Sequence, residues 1–486
     1  MKWEKLDERF ELYLRDESRL LGQGDEISFP SSEEELRQAL SDCVSAGVPV
    51  TLQGARTGIT GAGVPREGRL ISTERMDHCE VKDGRAYVQC GARLSEIKAA
   101  ARSTGLRFAP NPTEESATAG GMLASAAVGP NGLRTSDCVE GAVLLLPGGE
   151  RWDIRRGQYR FDRSGCDLPG GRRLELTVPL PSRQEARWGF APCAGMDLLD
   201  LFSGSEGILA AAAELQLRLT ARPGQNWGVL FFFEHEARAL DFACGLAGRE
   251  SLKGSLTVEE YLDGETLELI AALSQTSSQL AALPALPARR GAAVYLELEA
   301  EGMMPPQAEL MECLSCFEQC GGKDSDTWAA LGERELERLR LLRHAAAEAV
   351  NVRLDVCRRE LPGMTKQCGA FRVPAERLAE TAGQYRKDMD RAGLQGAVFG
   401  HMLAGRLHVN LLPRTEEQAA AGRGLLDGWA EQAAALGGCA LAENGVGKTR
   451  SAELLRWAPP EQLALMREIK NWFDPAGLLN RGNLFI

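Results

Sequence analysis

No stretch of this 486-residue sequence offers an uninterrupted apolar run of about 18 residues, so a membrane-spanning helix is not expected. The opening MKWEKLDERFELYLRDESRL carries charge throughout and lacks the apolar segment of a secretory signal, which makes the cytoplasm the expected location. A basic excess is also missing. Lys and Arg number 56 against 68 Asp and Glu, and the formal charge of -12 opposes affinity for phosphate backbones or anionic lipid; nucleic acid is not an expected partner. The 13 cysteines are scattered through a long chain rather than concentrated in a small one, as expected of reduced thiols rather than a disulfide framework. Neither an internal repeat nor a low-complexity tract is present. Histidine is scarce, with five in the chain.

What is present is the composition of a globular protein, 44% hydrophobic and 26% charged, in a chain long enough for two or three cores. From Ser31 the pattern SSEEELRQALSDCVSAG has capping-box spacing from Ser32 to Glu35 and sets Leu36, Ala39, Leu40, Cys43 and Val44 on one helical face. VPVTL, residues 48 to 52, reads as a buried strand running into a Gly-rich loop, and Leu94, Ile97 and Ala101 mark a further helix. Turn-forming residues in LTARPGQN, 219 to 226, suggest a domain boundary before the apolar run GVLFFF. Beyond it, strand-like VYLELEA alternates with long helix-like runs such as 331 to 350, an α+β organisation. Cys313, Cys316 and Cys320 have a spacing that supplies three thiolates to an iron-sulfur cluster, but Leu310, Cys313, Leu314 and Phe317 also fall at helical spacing, which favours thiols lining a helix face.

The loop after the first strand reads Gly54-Ala55-Arg56-Thr57-Gly58-Ile59-Thr60-Gly61-Ala62-Gly63-Val64-Pro65. Its glycines allow successive backbone amides to turn inward on a phosphate oxygen, so it reads as an anion cradle. It reaches Pro65 and the strand-like RLIST instead of opening a helix, which argues against a nicotinamide-binding fingerprint. A second phosphate-loop candidate, Ala442-Glu443-Asn444-Gly445-Val446-Gly447-Lys448-Thr449, satisfies a permissive Walker A pattern. Only residues 450 to 486 follow it, too few for the parallel sheet that motif serves.

With its surroundings the Gly-rich loop resembles the pyrophosphate-binding segment of the vanillyl-alcohol oxidase and p-cresol methylhydroxylase flavoproteins. Further segments resemble that family in order. Pro110-Asn111-Pro112 with Thr118, Gly120, Gly121 and Ala124 look like its second flavin loop, Gly204, Glu206 and Gly207 like its third, and Asp474-Pro475 with Leu479-Asn480 like its closing signature. The resemblance implies FAD held by these loops, in a two-part FAD domain of residues 1–222 and 441–486 with an α+β substrate cap at 223–440. No His or Cys matches a flavin tether, so the FAD is expected to be noncovalent.

Within the family the chain looks most like the D-lactate, glycolate and D-2-hydroxyglutarate dehydrogenases, which implies hydride transfer from a 2-hydroxy acid to FAD. Electrons would pass onward to an iron-sulfur protein or electron-transfer flavoprotein. The same likeness implies a divalent cation, Zn or Mn, on His401, His408 and Glu443, with Arg343 pairing a substrate carboxylate and Asn410 in the pocket. On the residues alone the two histidines also suit solvated or core roles, and Arg343 also suits a solvent-facing place on its helix. Departures cluster at the chemistry. Asn444 stands where the dehydrogenases have a histidine base, Met122 and Ala126 replace asparagines, and Arg56 replaces a glycine. A flavin-carrying subunit without dehydrogenase chemistry, or a non-redox enzyme of the alkylglycerone-phosphate synthase kind, are the alternatives.

Overall fold

The structure, a computed structural model, describes residues 2–182, 189–223, 226–288, 290–300, 306–441 and 445–485. The chain divides into two compact units: Met1–Gly129 with Leu133–Arg222 and Glu443–Ile486, and Pro223–Ala442 with Pro130–Gly132.

In the first unit the strands Glu4–Lys5, Glu26–Ser28, Arg69–Ser72 and Val50–Gln53 form one sheet in that order. The three longer strands run parallel. The helix Glu33–Ser45 starts where the capping pattern places it: the Ser32 hydroxyl accepts the Glu35 amide, while Glu35 reaches back to Ser31 rather than to Ser32. Its Leu36, Ala39, Leu40 and Cys43 are fully buried against Val50 and Ile71. An antiparallel sheet follows, ordered Cys79–Lys82, Arg85–Gln89, Ala211–Arg218, Val139–Leu145 and Arg151–Arg155. The last segment of the chain closes on the first: the Val50 amide donates to Leu478, and the Asn480 amide donates to Val50.

The second unit is built on a seven-stranded antiparallel sheet, ordered Thr327–Leu331, Asn226–Phe233, Ala292–Glu299, Leu256–Asp263, Gly396–His401, Arg406–Leu411 and Gln367–Arg372. The long helix Glu333–Glu360 packs Leu342, Ala345, Ala346, Ala349 and Val350 into a core with Leu230, Leu262 and Tyr295. Its alanines let helix and sheet approach closely, which is why so charged a helix still buries one face. Phe231, Phe233, Phe242 and Phe317 pack tilted or edge to face at centroid distances from 4.8 to 6.0 Å.

Cys313 and Cys316 are buried beside Phe317 on the helix Gln307–Gln319, and burial pushes the Cys313 thiol up to about 12. A buried, protonated thiol there packs as a small hydrophobe on the helix face. Among the described residues no helix is long and apolar enough to cross a membrane.

Candidate functional site

The strand Val50–Gln53 is buried because it lies between the neighbouring strand and the returning end of the chain, and Gly54 is where it leaves the sheet. The Gly-rich loop is gripped from one side. Gln53 Nε2 donates to the carbonyls of Tyr13 (2.9 Å) and Gly63 (2.7 Å). The Thr60 carbonyl accepts the amides of Lys448 (2.9 Å) and Thr449 (3.1 Å). Among the described residues the amides of Ala55, Arg56, Thr57, Gly58 and Ile59 donate to no protein acceptor. Five successive donors without a protein partner are what an anion-binding loop presents.

Arg56 adopts φ 63°, a left-handed conformation that explains why a glycine suits this place in the resembling family. Its guanidinium lies 4.3 Å from the centroid of Tyr13 and 3.6 Å from the Glu74 carboxylate, so the side chain is anchored to the N-terminal segment.

The other expected flavin loops converge on this one. A Cβ on Gly54 would stand 2.3 Å from Thr118 Oγ1, and one on Gly120 2.9 Å from Cys90 Cβ, so neither position admits a side chain without displacement. Thr118 caps the short helix Ala119–Ala124 by accepting the Gly121 amide at 3.3 Å. The third loop is stitched to that helix, Gly204 donating to Leu123 and Glu206 to Ala124. Pro110 is buried in the segment leading to Thr118.

Glu206 and Asn480 are engaged within the protein. The Glu206 carboxylate accepts the amides of Val446 and Gly447, and burial pushes its pKa up to about 7. Asn480 accepts the Leu52 amide and donates to the Glu206 carbonyl, both at 2.7 Å, and a Cβ on Gly207 would stand 2.8 Å from its amide nitrogen. Non-glycine residues with positive φ gather in these loops: Arg56, Asn111, Ala126, Glu206 and Asn480. Such conformations cost about 1–3 kcal/mol each and persist where surrounding structure imposes them.

In the second unit, neighbouring strands carry His401 and His408, whose rings meet edge to face with centroids 5.7 Å apart. Glu260 lies opposite His401 in register and places a carboxylate oxygen 3.8 Å from His401 Nδ1. Arg343 donates from Nε to that same carboxylate, and both side chains are buried. The solvent-facing alternative for Arg343 is therefore incorrect: the side chain is buried on the helix face that also carries Leu339 and Ala346. Burial opposes ionisation of Glu260, yet the charges of Arg343 and His401 hold its carboxyl below the usual range. Asn410 is buried two residues from His408, on the same side of the strand. Among the described residues no group of three or more His, Cys, Asp or Glu is arranged to hold a metal ion. Glu443 and Asn444 lie outside the described residues.

Residues 25–155 match the FAD binding domain, and residues 229–484 match the C-terminal domain of FAD linked oxidases. The chain belongs to the FAD-linked oxidases. This FAD-linked oxidase is 28% identical to D-2-hydroxyglutarate dehydrogenase of Xanthomonas citri over 94% of its own length and 89% of that protein. It is 26% identical to D-lactate dehydrogenase of Archaeoglobus fulgidus, over 94% and 90%. Among solved structures, 4-ethylphenol oxidase from Gulosibacter chungangensis shares its fold, with a TM-score of 0.67 at 16% identity, covering 99% of this chain and 93% of that one. The fold is thus the p-cresol methylhydroxylase type expected from the ordered motifs. Sequence reasoning missed Lys448 as a support of the Gly-rich loop; its signal was the Gly-Val-Gly-Lys turn, set aside as a failed nucleotide motif.

Proposed function

We propose that this FAD-linked oxidase dehydrogenates a 2-hydroxy acid of the D-lactate, glycolate or 2-hydroxyglutarate class and passes the electrons to a separate iron-sulfur or electron-transfer flavoprotein, in the cytoplasm. The observation that carries the reading is the loop Ala55–Ile59, whose amides have no protein acceptor among the described residues and which meets the Thr118 loop at Gly54. Those donors suit the pyrophosphate of a noncovalently held FAD, which would supply the hydride acceptor.

The chain's own residues have the following roles in this reading. The loop amides orient the cofactor, and Gly120, Gly121 and Gly207 let the loops pack closely, since a side chain there would meet Cys90, Thr118 or Asn480. Arg343 and Asn410 hold the substrate, the arginine through its bidentate fork and in exchange with Glu260. His401 and His408, with Glu443 as the third ligand implied by resemblance, hold a Zn or Mn ion that would supply Lewis-acid polarisation. Asn444 has no basic lone pair and leaves the hydroxyl proton to solvent.

Flavin and elemental analysis of one purified sample tests the binding half of this reading. Acid precipitation is expected to release about one FAD per chain, and His408→Ala is expected to lose the divalent metal while keeping FAD. Flavin retained on the precipitated chain contradicts noncovalent binding, and equal metal in both proteins after identical dialysis removes His408 from the ligand set.

A further inference from the structure

Lys448 is buried, with 5% relative exposure, and the proposed reaction does not use it. Its Nζ donates to the carbonyls of Gly61 (3.3 Å) and Ala62 (3.2 Å) and to Asn483 Oδ1 (2.7 Å). Asn483 Nδ2 in turn donates to Ala62 (3.0 Å), and the Lys448 amide takes the Thr60 carbonyl. Three successive carbonyls of the Gly-rich loop are therefore turned to one side. The N–H groups of those same peptides belong to Gly61, Ala62 and Gly63, so the grip fixes the stretch of the loop that directly follows the Ala55–Ile59 donors.

We propose that Lys448 is a positioning residue for a dinucleotide pyrophosphate, anchoring the Thr60–Ala62 end of the Gly-rich loop and placing a buried positive charge against it. The inference rests on the FAD reading. The charged groups around Lys448 are Glu206, Arg66 and Asp16; burial pushes its own pKa down to about 8, opposed by Glu206 and reinforced by Arg66, with Asp16 opposing again. Asp16 and Glu206 have pKa values of about 6 and about 7, so both become mainly ionised by about pH 8. Above that, Lys448 is the group in this cluster that loses charge.

A dianion that favours charged Lys448 raises the lysine's pKa, and each unit of that rise corresponds to about tenfold tighter binding below both values. FAD dissociation is measured by fluorescence after dilution of holoprotein, from about pH 7.5 to about pH 9 across the lysine's titration. Wild type is expected to lose several-fold to about tenfold in affinity over this range. Lys448→Arg, charged throughout, should keep FAD without that pH dependence. Lys448→Met should bind about tenfold more weakly at the lower pH, again with no slope. Should Lys448→Met fail to fold, the slope of Lys448→Arg decides. FAD bound with the same affinity and slope in wild type and both variants overturns the inference alone. Wild-type protein that takes up no FAD at any pH overturns the cofactor reading and the inference together.

Discussion

Asn444→His is expected to speed flavin reduction by a 2-hydroxy acid about 10²- to 10⁴-fold near neutral pH. A carboxamide cannot accept the proton of a substrate hydroxyl, whereas an imidazole with an unperturbed pKa of about 6.5 is mostly neutral and basic there. With solvent as the proton acceptor, the wild-type rate should be slow at about pH 6 and rise toward about pH 9, while the variant should level off once its imidazole is deprotonated. Anaerobic stopped-flow mixing with metal content matched in both proteins checks this. A wild-type rate already fast, flat with pH and unchanged by the substitution assigns the base to another residue. No reduction in either protein favours the flavin-carrying subunit.

Arg343→Met is expected to be among the most damaging single changes in the second unit, costing about 3–5 kcal/mol of stability. The cost comes from Glu260, whose carboxylate would be left buried without its main counter-charge, with His401 and His408 nearby in its place. Removing both charges together, Arg343→Met with Glu260→Leu, should recover much of the loss, because the desolvation of both ions disappears with them. The pair also sets a pH signature. Glu260 has a carboxyl pKa lowered by folding, so its stabilisation is present above the unfolded value of about 4.3 and is lost as pH falls through the folded value. Thermal melting of Arg343→Met, Glu260→Leu and the double variant against wild type at neutral and acidic pH measures both effects. A single variant that melts with wild type, or a double variant worse than either, contradicts the buried-pair account.

Local pattern made much of this fold readable. The Ser32 cap, the apolar stripe from Leu36 to Cys43 and the long run after 331 each act within a few residues, where spacing and propensity decide structure. The Gly-rich loop was legible for the same reason: its glycines describe its own backbone. Long-range partners were not. Arg343 meets Glu260 only because a helix crosses a strand 83 residues earlier, and nothing in LLRHAAAEAV distinguishes that arginine from its exposed neighbours. Glu206 looked like a flavin-loop residue, and its capture of the Val446 and Gly447 amides depends on chain 240 residues away. Glu259, fully buried with neither carboxylate oxygen hydrogen-bonded, was invisible beside its identical neighbour Glu260, because a strand sends adjacent side chains to opposite faces.

Whether this protein oxidises 2-hydroxy acids is decided by anaerobic addition of D-lactate, glycolate and D-2-hydroxyglutarate to the purified protein, followed through its visible flavin absorption at neutral and raised pH. At least one of these acids is expected to bleach the flavin, faster at the higher pH, with formation of the matching 2-oxo acid. Flavin that is present, released intact by acid, and still fully oxidised after incubation with every acid at both pH values would contradict it.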